Sequence, residues 1–129
     1  MKKTFILLGM SLLLFSFISQ NDVDEIVKSF KAANAEQVSS HFANLIDFVL
    51  PGKDEIKNMG KNQASIALKT FFEENGVKGF DVLSQRETGA SMYIAGKMNG
   101  KNKSYNITIW LNTKDGKHFI SSLRINATQ

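Results

Sequence analysis

The chain has no cysteine and a single proline among its 129 residues. Without cysteine there is no disulfide framework, no zinc-thiolate or iron–sulfur site, no thiol nucleophile and no lipid-anchored N-terminal cysteine, so stability rests on the packed core. Charge of one sign is scarce as well: 16 Lys plus Arg stand against 12 Asp plus Glu. The lysines are scattered and mostly beside acids, whereas nucleic-acid binding needs a clustered basic face, so nucleic acid is not an expected partner. The nine glycines form neither a dinucleotide fingerprint nor a P-loop. The two histidines, His41 and His118, stand far apart with no ligand-spaced neighbours, so no metal and no cofactor is expected. His41 reads as a helix-surface residue and His118 as a strand-edge residue. Serines are plentiful but none lies in a nucleophile-elbow sequence, and no catalytic residue is assigned.

Long hydrophobic runs are equally few. The one present, Phe5 to Ile18, follows Lys2 and Lys3 and precedes the polar Ser19-Gln20-Asn21, which is the layout of a secretory signal peptide. Its length of roughly 14 residues falls short of the about 20 needed to span a bilayer as a helix. Residues 1–19 are therefore expected to be removed, leaving residues 20–129 as one domain without stable membrane insertion. Loss of Lys2 and Lys3 from 16 basic residues leaves 14 against 12 acids, a net charge of +2. With 43% hydrophobic and 22% charged residues, the chain has the composition of an ordinary folded domain. A Lys-Lys signal of this kind points to export into the periplasm, or secretion, from a Gram-negative bacterium.

Hydrophobic spacing supplies the elements. Val23, Ile26, Val27 and Phe30 mark one face of a first helix, with Asp22 placed as its N-cap. A second runs from about Ala35 to Phe42. Leu45 to Leu50 reads as a short strand ended by Pro51-Gly52, and Lys53 to Lys61 as a polar connection. Ala64, Ala67, Leu68, Phe71 and Phe72 form the stripe of a third helix, closed by Asn75-Gly76. Beyond Gly79 the period becomes two: Phe80 to Glu87, Ser91 to Met98, Lys103 to Asn112 and Phe119 to Ile125 read as strands. Asn99-Gly100 and Asp115-Gly116 have the composition of hairpin turns. The expected fold is α+β, with three N-terminal helices packed on one face of a curved antiparallel sheet of four to five strands. Tyr105, Ile107, Leu123 and Ile125 are expected to face inward, Trp110, Thr108 and Ile120 outward.

That order is similar to the cone of the nuclear transport factor 2-like, or cystatin-like, superfamily. A nearer likeness lies in Leu50-Pro51-Gly52-Lys53, Lys61-Asn62-Gln63-Ala64, Phe71-Phe72, and Gly116-Lys117-His118-Phe119-Ile120 followed by Leu123-Arg124-Ile125. From about Val23 to Asn126 the chain resembles the secreted bacterial family known as domain of unknown function 4783. The wider superfamily includes ketosteroid isomerase, whose catalytic Asp directly precedes a comparable Pro-containing turn; here that place is held by Leu50, which accepts no proton. The resemblance implies the fold; the expected function is that of an exported, non-enzymatic domain that binds a small apolar or amphipathic ligand or a protein partner. Phe42, Phe48, Phe72, Tyr105 and Ile107 are the candidate ligand-binding residues. Trp110, Thr108 and Ile120 are the candidate dimer or partner face. The alternatives are a pocketed enzyme of the isomerase type, disfavoured at Leu50, and a structural homodimer.

Overall fold

The computed structural model describes residues 21–128; the expected leader lies outside them. Helices α1 (Asn21–Lys31) and α2 (Ala35–Ser39) precede β1 (Phe42–Val49) and β2 (Ile56–Gly60). Helix α3 (Lys61–Glu74) then leads into the meander β3 (Phe80–Thr88), β4 (Ser91–Asn99), β5 (Ser104–Lys114) and β6 (Lys117–Ala127). One six-stranded sheet runs in the order β2-β1-β6-β5-β4-β3. Every pairing is antiparallel except β1 with β6, which is parallel. The sheet is therefore mixed and larger than the spacing predicted. Strand β2 lies where the sequence pattern predicts a connection, because it is polar and sits exposed at the sheet edge. It is anchored by the Asp47 carboxylate, which accepts from the Asn58 amide at 3.0 Å, where Asn58 takes a left-handed φ of 54°.

The helices form where apolar stripes meet the sheet. Ile26 and Phe30 of α1 and Leu68 of α3 are fully buried, and each such side chain contributes about 1.5–3 kcal/mol on leaving water. Phe30 tilts against Phe80 of β3 with ring centroids 5.5 Å apart. Helices α1 and α3 stop by the same device. The Asn34 amide donates to the Ser29 carbonyl, and the Val77 amide to that of Phe72, each closing over a residue of left-handed φ. That residue is Gly76 (57°) after α3 but Ala33 (51°) after α1. Asn34 then caps α2, its side chain accepting from Gln37 at 3.1 Å. Helix α2 is one turn, shorter than expected, since the chain enters β1 at Phe42.

Two departures from simple alternation shape the sheet. On β6, Trp110 faces Ser122 but Leu111 faces Ile120, so Ser121 is an extra, bulged residue. A bulge re-aims the side chains beyond it. Ile120, expected on the outer face, is turned into the core with no exposure, while Leu123 and Ile125 face inward as expected. On β3 a second bulge lies between Val82 and Ser84, opposite Gly96 and Ala95. Gly96 is required here: a Cβ would stand 2.4 Å from Phe80 Cε1 and 2.5 Å from the Asp81 carbonyl oxygen. Asp115-Gly116 makes the expected tight turn with both φ positive. Asn99-Gly100 does not; a wider loop spans residues 100–103, closed by the Gly100 amide donating to Lys103.

Candidate functional site

The five candidate ligand-binding residues all belong to the continuous core. They do not form one ligand wall. Phe48 and Ile107, each 1% exposed, pack the space between helices and sheet. Phe42 borders a 370 Å³ hollow and Phe72 a separate 290 Å³ depression beneath the α1–α2 turn. Tyr105 alone of the five reaches a cleft at the open end of the sheet, about 430 Å³ in volume. That size lies within the range of small-molecule sites.

Four segments build this cleft. The turn after β1 supplies Leu50, Pro51 and Lys53; the last turns of α3 supply Ala67, Thr70, Phe71, Glu74 and Asn75. The loop before β5 supplies Lys103, and the facing strand ends supply Tyr105 and Ala127. Sequence dictates the apolar part, because Phe71 belongs to the α3 stripe and Tyr105 to the inward stripe of β5. Their rings meet edge to face at 5.1 Å, an arrangement favoured by the ring quadrupoles.

A polar clip closes one wall. The Tyr105 hydroxyl donates to Asn75 Oδ1 at 3.0 Å, and Asn75 Nδ2 donates to the Phe71 carbonyl at 2.8 Å. The Asn75 carbonyl accepts from the Lys101 amide at 2.7 Å. One asparagine thus holds the end of α3, the loop before β5 and the tyrosine together. The spacing marks Asn75 only as a helix terminator; its side-chain role depends on Tyr105 of β5, 30 positions away. The partner of Tyr105 is an amide and not an acid, and Leu50 lines the same cleft. At these two positions the cleft thus differs from an isomerase-type oxyanion pair and base.

A second cleft of about 470 Å³ lies between α1, the α2 end and the β5–β6 turn, with Asp22, Glu25, His41 and His118 on its walls. Asp22 is inside α1 and not its N-cap. Its carboxylate accepts from the His118 backbone amide at 2.7 Å and stands 3.0 Å from His118 Nδ1, tying the helix to the hairpin. Burial opposes ionisation of Asp22, but the two His118 contacts outweigh it and hold the carboxyl below its usual pKa. His41 is lowered chiefly by burial, against the pull of Glu25 and Asp22. Among the described residues no group of three or more His, Asp or Glu stands placed to hold a metal ion. None of the described helices is long and apolar enough to cross a membrane.

On the outer face of the sheet Trp110 remains 41% exposed and tilts against Tyr93 at 5.2 Å. Thr108 lies two residues before it on the same strand, half-buried. Of the three residues expected on the outer face, Trp110 and Thr108 lie there, beside Tyr93, and Ile120 does not.

The family described as Domain of unknown function (DUF4783) matches residues 23–126. No curated protein matches the chain. Among solved structures, a protein of that family from Bacteroides ovatus is 22% identical, with a TM-score of 0.74 over 81% of this chain and 94% of its own. Another from Bacteroides uniformis is 20% identical, with a TM-score of 0.76 over 82% and 96%. An NTF2-like protein of unknown function from Cytophaga hutchinsonii, 14% identical, superposes with a TM-score of 0.59 over 85% and 89%.

Proposed function

Since this chain belongs to the DUF4783 family and has the nuclear transport factor 2-like fold, we propose that it is a non-enzymatic binding domain whose ligand is small and amphipathic. The cleft at the open end of the sheet is its site. The reading is carried by one observation: Phe71, Leu50, Pro51 and Ala127 form an apolar floor beside the Tyr105–Asn75 clip and two lysines. Such a mixture of apolar area with a few placed polar groups is what small-molecule sites share. Leu50 and the amide partner of Tyr105 weigh against proton abstraction there. The leader-like residues 1–19 support export to the periplasm or beyond in a Gram-negative bacterium. Native mass spectrometry of the protein purified from its own envelope fraction tests both ideas. A mass starting near Gln20 with a retained small molecule supports them. A chain that still carries residues 1–19 removes export. A bare chain that binds no amphiphile when titrated removes the ligand.

A second reading rests on the exposed Tyr93–Trp110 pair, which suits an interface between two copies. Trp110 is the only tryptophan, so its fluorescence reports directly on that face. Acrylamide quenching that falls with rising protein concentration, and a dimer lost on Trp110→Asp in light scattering, would support the homodimer. A monomer at all concentrations refutes it.

A further inference from the structure

We infer that the ligand of the α3–β5 cleft carries a negative charge at its polar end, and is a monoanionic amphiphile of the long-chain carboxylate type. This inference rests on the reading of that cleft as a binding site. Its rim holds two cations, Lys53 on the turn after β1 and Lys103 on the loop before β5, against one acid, Glu74. Among the described residues the one ion pair is that of His118 with Asp22, so among them neither lysine is paired with Glu74 or with any other side-chain carboxylate. Two lysines on separate segments thus line the cleft together with Phe71, Leu50 and Pro51.

The charge arrangement separates three ligand classes. A cationic amphiphile finds a single carboxylate and two repelling ammonium groups. An uncharged one uses the floor and leaves both cations where they were. A carboxylate accepts charge-assisted hydrogen bonds from lysines on either side, which are stronger than neutral ones. The Tyr105 hydroxyl is already donated to Asn75 and the resolved Asn75 amide bond goes to Phe71. The clip therefore shapes the wall, and the lysines supply the donors for the head group. Both are exposed, so salt should weaken their contribution measurably.

The test uses three probes of equal chain length below their micelle concentrations: dodecanoate, dodecanol and dodecyltrimethylammonium. Binding is followed by amide chemical shifts at Phe71, Asn75 and Tyr105. Dodecanoate is expected to bind about tenfold tighter than dodecanol, a difference of ~1.4 kcal/mol. The Lys53→Gln/Lys103→Gln double variant, altered only at exposed positions, should lower dodecanoate to the dodecanol level and leave dodecanol unchanged. Equal affinity for dodecanoate and dodecanol overturns the anionic class while leaving the cleft as a binding site, and so does tightest binding of the cation. If no probe shifts those three amides, the cleft reading falls and the charge assignment with it.

Discussion

Replacing Tyr105 with phenylalanine removes one oxygen and leaves the ring, so the edge-to-face contact with Phe71 at 5.1 Å is kept. What disappears is the 3.0 Å bond to Asn75 Oδ1. A hydrogen bond of this kind contributes about 1 kcal/mol net, and somewhat more if the abandoned acceptor stays dry. Asn75→Ala loses the same bond together with the 2.8 Å bond from Nδ2 to the Phe71 carbonyl at the end of α3, about 2 kcal/mol in all. In the double variant the hydroxyl has already lost its partner. The combined cost should therefore equal that of Asn75→Ala alone, a coupling of about 1 kcal/mol. Urea unfolding followed by circular dichroism reads this directly. With an m-value of about 1.5 kcal/mol/M, Tyr105→Phe shifts the midpoint down by ~0.7 M. Strict additivity of the two single variants would refute the clip.

Four further expectations follow from the backbone and from titration. Gly96→Ala forces a Cβ to 2.4 Å from the Phe80 ring and 2.5 Å from the Asp81 carbonyl oxygen, an overpacking that should cost about 1–3 kcal/mol; a thermal midpoint unchanged from the parent would contradict the close approach of β3 and β4. Ala33→Gly relieves a left-handed alanine and should stabilise by up to ~1 kcal/mol in the same unfolding assay; a loss of stability would show that the alanine methyl group matters more than its strain. The Asp22 carboxyl is held low in the fold, so its contribution is present above the unfolded carboxyl pKa of about 3.9 and disappears as pH falls through the folded value. Asp22→Asn should flatten this acid limb of the stability profile, and an unaltered profile would remove the carboxylate from the α1–hairpin tie. His41 is lowered by burial, so the fold disfavours its protonation and stability should decline as pH drops below about 6.5; His41→Gln should lessen that decline in urea midpoints taken between pH 7 and 5.

How much was legible depended on the range of the physics involved. The α1 and α3 stripes and the inward face of β5 were readable because they follow from local period and burial. The Asp115-Gly116 turn was readable because both residues tolerate positive φ. Strand β2 escaped because an edge strand needs no apolar alternation. Simple alternation puts Ile120 on the outer face, and the Ser121 bulge that turns it inward depends on how β5 and β6 register. Within the site, Tyr105 is legible as an inward aromatic, but its meeting with Asn75 at the end of α3 depends on how the helix docks on the sheet, and Lys103 sits on a loop whose shape the sequence pattern does not disclose. The Asp22 to His118 tie, 96 positions apart, is a product of the finished topology.

The parallel pairing of β1 with β6 holds the two parts of the sheet together. Phe42 lies beside Ile120 and Phe48 beside Leu123, so the two halves of the sheet join through the first strand and the last. Contacts of such long sequence separation slow folding, because the loop must close before they form. A nascent or truncated chain lacking β6 has the β3–β5 meander on one side and the β1–β2 hairpin on the other, with the seam between them absent. A chain stopped before this eleven-residue strand would display the edges of β1 and β5 as open templates for aggregation.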